Sequence, residues 1–83
     1  MPKKMTLRRL MGYLEKCQNL TDEELAEIEE RLTRGEDVLE LGIKYLKFDE
    51  DKDDHIVEVD DLEALLADNG YDPEYDRYKT EEI

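Results

Sequence analysis

EDVLELGIKYLKF, residues 36–48, admits two readings, and the fold turns on which one holds. As a strand, Leu39, Leu41, Ile43 and Tyr45 alternate with Glu40, Gly42 and Lys44. As a helix, Glu40, Lys44 and Lys47 fall on one face and Val38, Leu41, Tyr45 and Phe48 on another. Leu46-Lys47-Phe48 breaks the alternation but continues the helical spacing, and Glu40 with Lys44 makes an ordered i,i+4 pair. The helix is therefore the expectation. It implies a mainly α fold: a small four-helix domain with one acidic loop and at most a short β segment. The alternative is α+β, with helices packed on a β-hairpin spanning 43–59.

Immediately downstream stands DEDKDDHIVEVD, residues 49–60. Asp49, Asp51 and Asp53 occupy alternate positions, followed by Ile56 and an acid at Asp60. This segment resembles the EF-hand calcium loop, which takes oxygen ligands from positions 1, 3, 5, 7, 9 and 12. The resemblance covers about 36–70 as helix, acidic loop and helix, and implies an EF-hand-like domain with calcium as cofactor. Its ligands would be Asp49, Asp51, Asp53, the backbone oxygen of His55, and Asp60. The chain departs from the pattern in having Asp54 where the family has Gly, and Asp60 where it has Glu. Leu62 also lies one residue late, so that Asp61 could serve in place of Asp60. His55 to Val59 is rich in β-branched residues and reads as a short strand. In a lone loop that strand would have no sister, which would favour a homodimer or pairing with a partner. The plain alternative is an acidic, solvated turn.

Upstream, Leu7, Leu10, Met11, Leu14 and Cys17 mark one face of a helix over 5–19, capped by Thr6. Arg8, Arg9 and Lys16 lie on its other faces, either merely solvated or a basic edge for a partner. A second helix starts at Thr21, whose spacing to Glu24 spells a capping box, and stops at Gly35. These two form a helical pair over 5–34. A last helix is capped by Asp60 or Asp61, buries Leu62, Leu65 and Leu66, and ends at Asn69-Gly70. Residues 1–70 thus read as one domain, and 71–83 as an acidic tail with three tyrosines.

The 83 residues carry a formal net charge of −13, unevenly placed. Residues 1–20 hold Lys3, Lys4, Arg8, Arg9 and Lys16 against Glu15, for +4, which leaves −17 beyond them. Such a surface disfavours direct binding to nucleic acid or to anionic membranes, and favours cations and basic protein patches. Chemistry is sparse, with one His, one Cys and no Ser. That excludes a Ser-His-Asp nucleophile and leaves a zinc site without soft ligands, so no enzyme is expected. Lone Cys17 points to a reducing, cytoplasmic setting.

Two functions follow. The first is a small acidic calcium-binding and interaction module acting through protein binding, with Glu50, Asp54, Glu58 and Asp61 as its acidic partner surface. The second is a nucleic-acid mimic that blocks a basic nucleic-acid-binding protein. In size and charge the chain is similar to the small acidic inhibitors that phages direct against host nucleases and defence complexes.

Overall fold

The computed structural model describes residues 1–77 and shows an α+β fold, not the mainly α four-helix domain. Strand β1 (Lys3–Thr6) runs directly into helix α1 (Leu7–Leu14), followed by α2 (Asp22–Thr33) and a 3-10 turn at Leu39–Leu41. Strands β2 (Ile43–Asp49) and β3 (Asp54–Val59) form a hairpin, and α3 (Leu62–Asp68) follows. The sheet is antiparallel in the order β1-β3-β2.

The expectation of a helix over 36–48 is overturned by a bulge. Tyr45 pairs with Val57 and Lys47 with Ile56, so Leu46 is an extra residue in β2. Before it, Ile43 and Tyr45 face the helices and Lys44 faces away. After it, Phe48 returns to the helix-facing side opposite His55. One inserted residue breaks a period of two, and the remaining spacing imitates a period between three and four. The alternative reading, helices on a hairpin over 43–59, describes what forms. Both edges of β3 are paired within the chain, by β1 and by β2. The unpaired Ile56 edge that suggested a homodimer does not exist.

The helical part of the core is where the sequence patterns placed it, whereas over 36–48 Ile43 is buried and Phe48 exposed. Leu7, Leu10, Met11 and Leu14 of α1 and Leu25, Ile28 and Leu32 of α2 pack with Ile43, Val57 and Val59 of the sheet, with Leu62, Leu65 and Leu66 of α3 completing the cluster. Burial of these aliphatic side chains contributes roughly 1.5–3 kcal/mol each, the main term holding so charged a chain together.

Helix ends follow local chemistry. Thr21 and Glu24 form both bonds of the capping box, at 3.1 and 2.9 Å. α2 closes on Gly35, at φ +83°, with Glu36 N–H donating to the Arg31 carbonyl and Gly35 N–H to that of Leu32. α3 closes in the same way on Gly70, at φ +72°, through Tyr71 to Leu66 and Gly70 to Ala67. The first helix is shorter than its pattern, because Met5 belongs to β1 and the chain leaves the helix after Leu14.

The connection over residues 15–21 is held from the C-terminal side. Gln18 and Asn19 N–H donate to the Gly70 and Asn69 carbonyls, and Cys17 bridges to Tyr71. Arg77, with a side chain only 7% exposed, donates to the carbonyls of Glu15 and Cys17 and pairs with Asp22 at 3.1 Å. Residues 71–77 of the expected tail are therefore docked on the domain; 78–83 lie outside the described residues. Among the described residues no helix is long and apolar enough to cross a membrane.

Candidate functional site

The acidic segment is the tip of the β2–β3 hairpin, with residues 50–53 as its turn. Asp49 ends β2, and its Oδ1 accepts from the N–H groups of Asp51 and Lys52 at 2.9 and 3.2 Å. That is an Asx turn, in which the carboxylate does the work of a backbone carbonyl. Asp53 takes the left-handed conformation, φ +53°, that lets the chain reverse. Glu50, Asp51 and Asp53 are exposed.

Asp54, the position at which the family pattern has Gly, behaves differently. It is buried, 8% exposed. Its Oδ2 accepts from the backbone N–H of Arg8 at 2.9 Å, and its Oδ1 from its own neighbour His55 at 2.8 Å. Arg8 lies in the first turn of α1, where N–H groups lack helical partners and the helix dipole favours negative charge. Thr6 satisfies the adjacent N–H of Arg9 at 3.2 Å. α1 is thus capped twice, once by its own chain and once across the fold by the hairpin.

His55 points to the helix-facing side. Its Nδ1 lies 3.0 Å from the Tyr45 hydroxyl, and its ring meets Phe48 edge-on at 5.0 Å. The pair leaves Phe48 46% exposed at the rim of the sheet. Glu58 stands between Lys4 and Lys44, its direct partners on the two neighbouring strands. This half-buried carboxylate thus faces cations, not a partner-ready acidic surface. Asp61 caps α3 through Ala64 N–H at 3.1 Å.

Asp60 follows the far end of β3 and donates its N–H to the Gly42 carbonyl. β3 carries the chain extended from Asp54 to Val59, so at ~3.3 Å per residue Asp60 is roughly 20 Å from the tip. Calcium needs its oxygens within about 2.6 Å. The hairpin brings Asp49, Asp51 and Asp53 to one end and leaves Asp60 and Asp61 at the other. The twelve-residue ligand set expected from the sequence does not assemble in this arrangement, and the residues present do not fit the group. Among the described residues no three acidic, His or Cys side chains converge as a metal site.

Exposed acids are denser on α2. Asp22, Glu23, Glu24, Glu27, Glu29 and Glu30 are all at the surface, with Glu23, Glu27 and Glu30 along the ridge opposite the buried Leu25, Ile28 and Leu32. Arg31 and Arg34 are engaged at the helix end, with Glu40 at 2.6 Å and with Glu36 and Glu30 at 2.9 and 3.1 Å. The Glu40 carboxyl is held below its ordinary range by the Arg31 hydrogen bond. Sequence reasoning used the α2 acids only as helix-start chemistry. The spacing of Glu23, Glu27 and Glu30 on the face opposite Leu25, Ile28 and Leu32 was the available signal that they also form a surface.

Cys17 is fully buried, and burial pushes its thiol up, against a smaller opposing effect of Arg77. It is a core residue. No protein-family model, curated protein or solved structure matches this chain.

Proposed function

We propose that the protein is an acidic interaction module that docks on a basic surface of a protein partner, a surface of the kind that otherwise holds nucleic acid. The observation that supports this reading is the run of exposed carboxylates along α2. Twelve residues at 1.5 Å rise span about 18 Å, and Asp22, Glu23, Glu24, Glu27, Glu29 and Glu30 lie within them. That is close to the linear charge density of a single DNA strand, roughly one phosphate per 3.4 Å. Asp22 and Glu30 share their charge with Arg77 and Arg34, and Glu24 and Glu29 flank the apolar stripe on either side, which leaves Glu23 and Glu27 as the sharper part of the track. The helix is anchored by its apolar face and closed at both ends, so little entropy is lost when the track meets a partner. The hairpin tip adds Glu50, Asp51 and Asp53 as a second acidic point.

The test is competition. A fluorescent DNA duplex is first bound to a lysine-rich DNA-binding protein, and this protein is then titrated in. Displacement that weakens steeply with added salt, and is lost in Glu23→Lys/Glu27→Lys, supports the reading. No displacement at low salt overturns it. Calorimetric titration with calcium chloride belongs beside it: saturable binding lost on Asp49→Ala would move the function to the cation.

A further inference from the structure

The strongest feature outside the acidic surfaces is basic. A groove of about 420 Å³ runs along β1 and is lined by Lys3, Lys4, Arg9 and Lys52, with Met5, Tyr13, Ile56 and Leu62 as its apolar members. Thr6 completes the lining, and no carboxylate takes part in it. In a chain with 25 acidic residues against 12 basic ones, four cations meeting around one groove is a segregation of charge that composition disfavours. The four ion pairs among the described residues involve Arg31, Arg34 and Arg77, and none of the groove cations. Arg9 instead lies over the Tyr13 ring, 5.8 Å from its centroid, and donates to the Tyr13 hydroxyl at 3.4 Å.

The groove also runs beside an open strand. β1 pairs with β3 on one side, and no strand pairs with its outer edge among the described residues. An edge strand presents N–H and C=O groups ready to bond with another chain in extended form. Nature guards such edges with lysines, and Lys3 and Lys4 do so here against neutral or basic strands. Against an acidic strand the same lysines attract. Of the −17 beyond residue 20, Glu58 stands beside Lys4, and Asp51 and Asp53 flank Lys52; charges farther than about 8 Å are screened at physiological salt.

We infer that the β1 edge is a docking site for an extended acidic peptide segment of a partner protein, added as a fourth strand beside Lys3–Thr6. Side chains alternate across the added strand: its acidic ones lie on the face of Lys4, and its apolar ones on the helix-facing side beside Met5. This surface is separate from the α2 track, and the module then carries two faces of opposite sign.

The experiment uses a fluorescein-labelled hexapeptide of alternating Glu and Val, its Lys-Val counterpart, and tripolyphosphate. Saturable binding of the Glu-Val peptide with Kd below about 1 mM, with amide shifts and slowed exchange at Lys3–Thr6, is the expected result. Lys4→Glu weakens it roughly tenfold, equivalent to about 1.4 kcal/mol. Lys44→Glu makes the same change in net charge on the far side of Glu58 and weakens it less than about twofold. Equal loss in the two variants means whole-protein charge and overturns the site. So do the absence of saturation, equal binding of the Lys-Val peptide, and tripolyphosphate displacing the peptide with no protection of the β1 amides. Lys4→Glu leaves displacement of DNA by the α2 track intact, so the two readings fail separately.

Discussion

The Asp54 carboxylate receives the backbone N–H of Arg8 at 2.9 Å, across 46 residues of sequence. The bond ties the start of the hairpin's second strand to the start of the first helix. It also gives the acid at the first residue of β3 a structural role. Asp54→Ala removes a helix cap and a buried bond together, and the expected loss is about 1–2 kcal/mol. Asp51→Ala and Glu50→Ala, exposed in the turn, shift stability by less than about 0.5 kcal/mol. Urea denaturation of the three variants distinguishes a structural Asp54 from an equivalent member of an acidic cluster.

Arg77 closes the C-terminal side of the fold. Its guanidinium serves two carbonyls and Asp22 from a nearly buried position. Arg77→Ala leaves those carbonyls without their donor and costs about 2 kcal/mol or more. Arg77→Lys recovers only part, since an ammonium cannot reproduce the planar fork. The thiol of Cys17 reports the change. Buried and raised in the folded chain, it reacts slowly with a disulfide reagent at pH 8, and Arg77→Ala accelerates that reaction through more frequent opening.

Gly70 combines two constraints. Its φ of +72° belongs to the left-handed region, and an added Cβ would sit 3.0 Å from the Asn19 side-chain nitrogen. Gly70→Ala therefore costs about 1–2 kcal/mol from backbone conformation alone, whereas Gly12→Ala, with open space around it in α1, gains up to ~1 kcal/mol from helix propensity. Thermal denaturation should move in opposite directions for the two.

Glu40 gives the pH dependence a direction. Its carboxyl is lowered by the Arg31 hydrogen bond from an ordinary value of 4.5. A lowered folded-state pKa contributes stability that is fully present above the unfolded value and is lost as pH falls through the folded one. The pair is exposed, so the effect is small. Comparing wild type with Glu40→Gln by urea titration between pH 6 and 3, the difference in stability shrinks as the pH drops below about 4.5.

The parts of this fold that can be read from sequence are those decided by neighbours. Thr21 with Glu24, Gly35, Asp61 and Gly70 mark helix ends through bonds three to five residues long, and each acts where its chemistry predicts. The aliphatic stripes of α1, α2 and α3 read correctly for the same reason. β2 does not, because bulged Leu46 shifts the alternation midway and leaves a spacing that a helix would also show. β1 is four residues long, two of them lysines, and its partner lies some fifty positions away. Of the candidate site, the acids at the hairpin tip are legible as a turn. The separate task of Asp54, and the convergence of Lys3, Lys4, Arg9 and Lys52, depend on strand order. Arg77 leaves no pattern at all, since what it holds is main-chain oxygen.

β3 is the middle strand, yet its two neighbours reach it by very different routes. The hairpin to β2 closes a short local loop and forms on a microsecond timescale. β1 must close a loop of about fifty residues before its first contact rewards it. On a ribosome, α1 and α2 emerge well before the strand that β1 needs, so the N-terminal segment waits unpaired until translation has passed Val59. In that interval the lysines of β1 act as gatekeepers, keeping an unclosed sheet from annealing to other nascent chains.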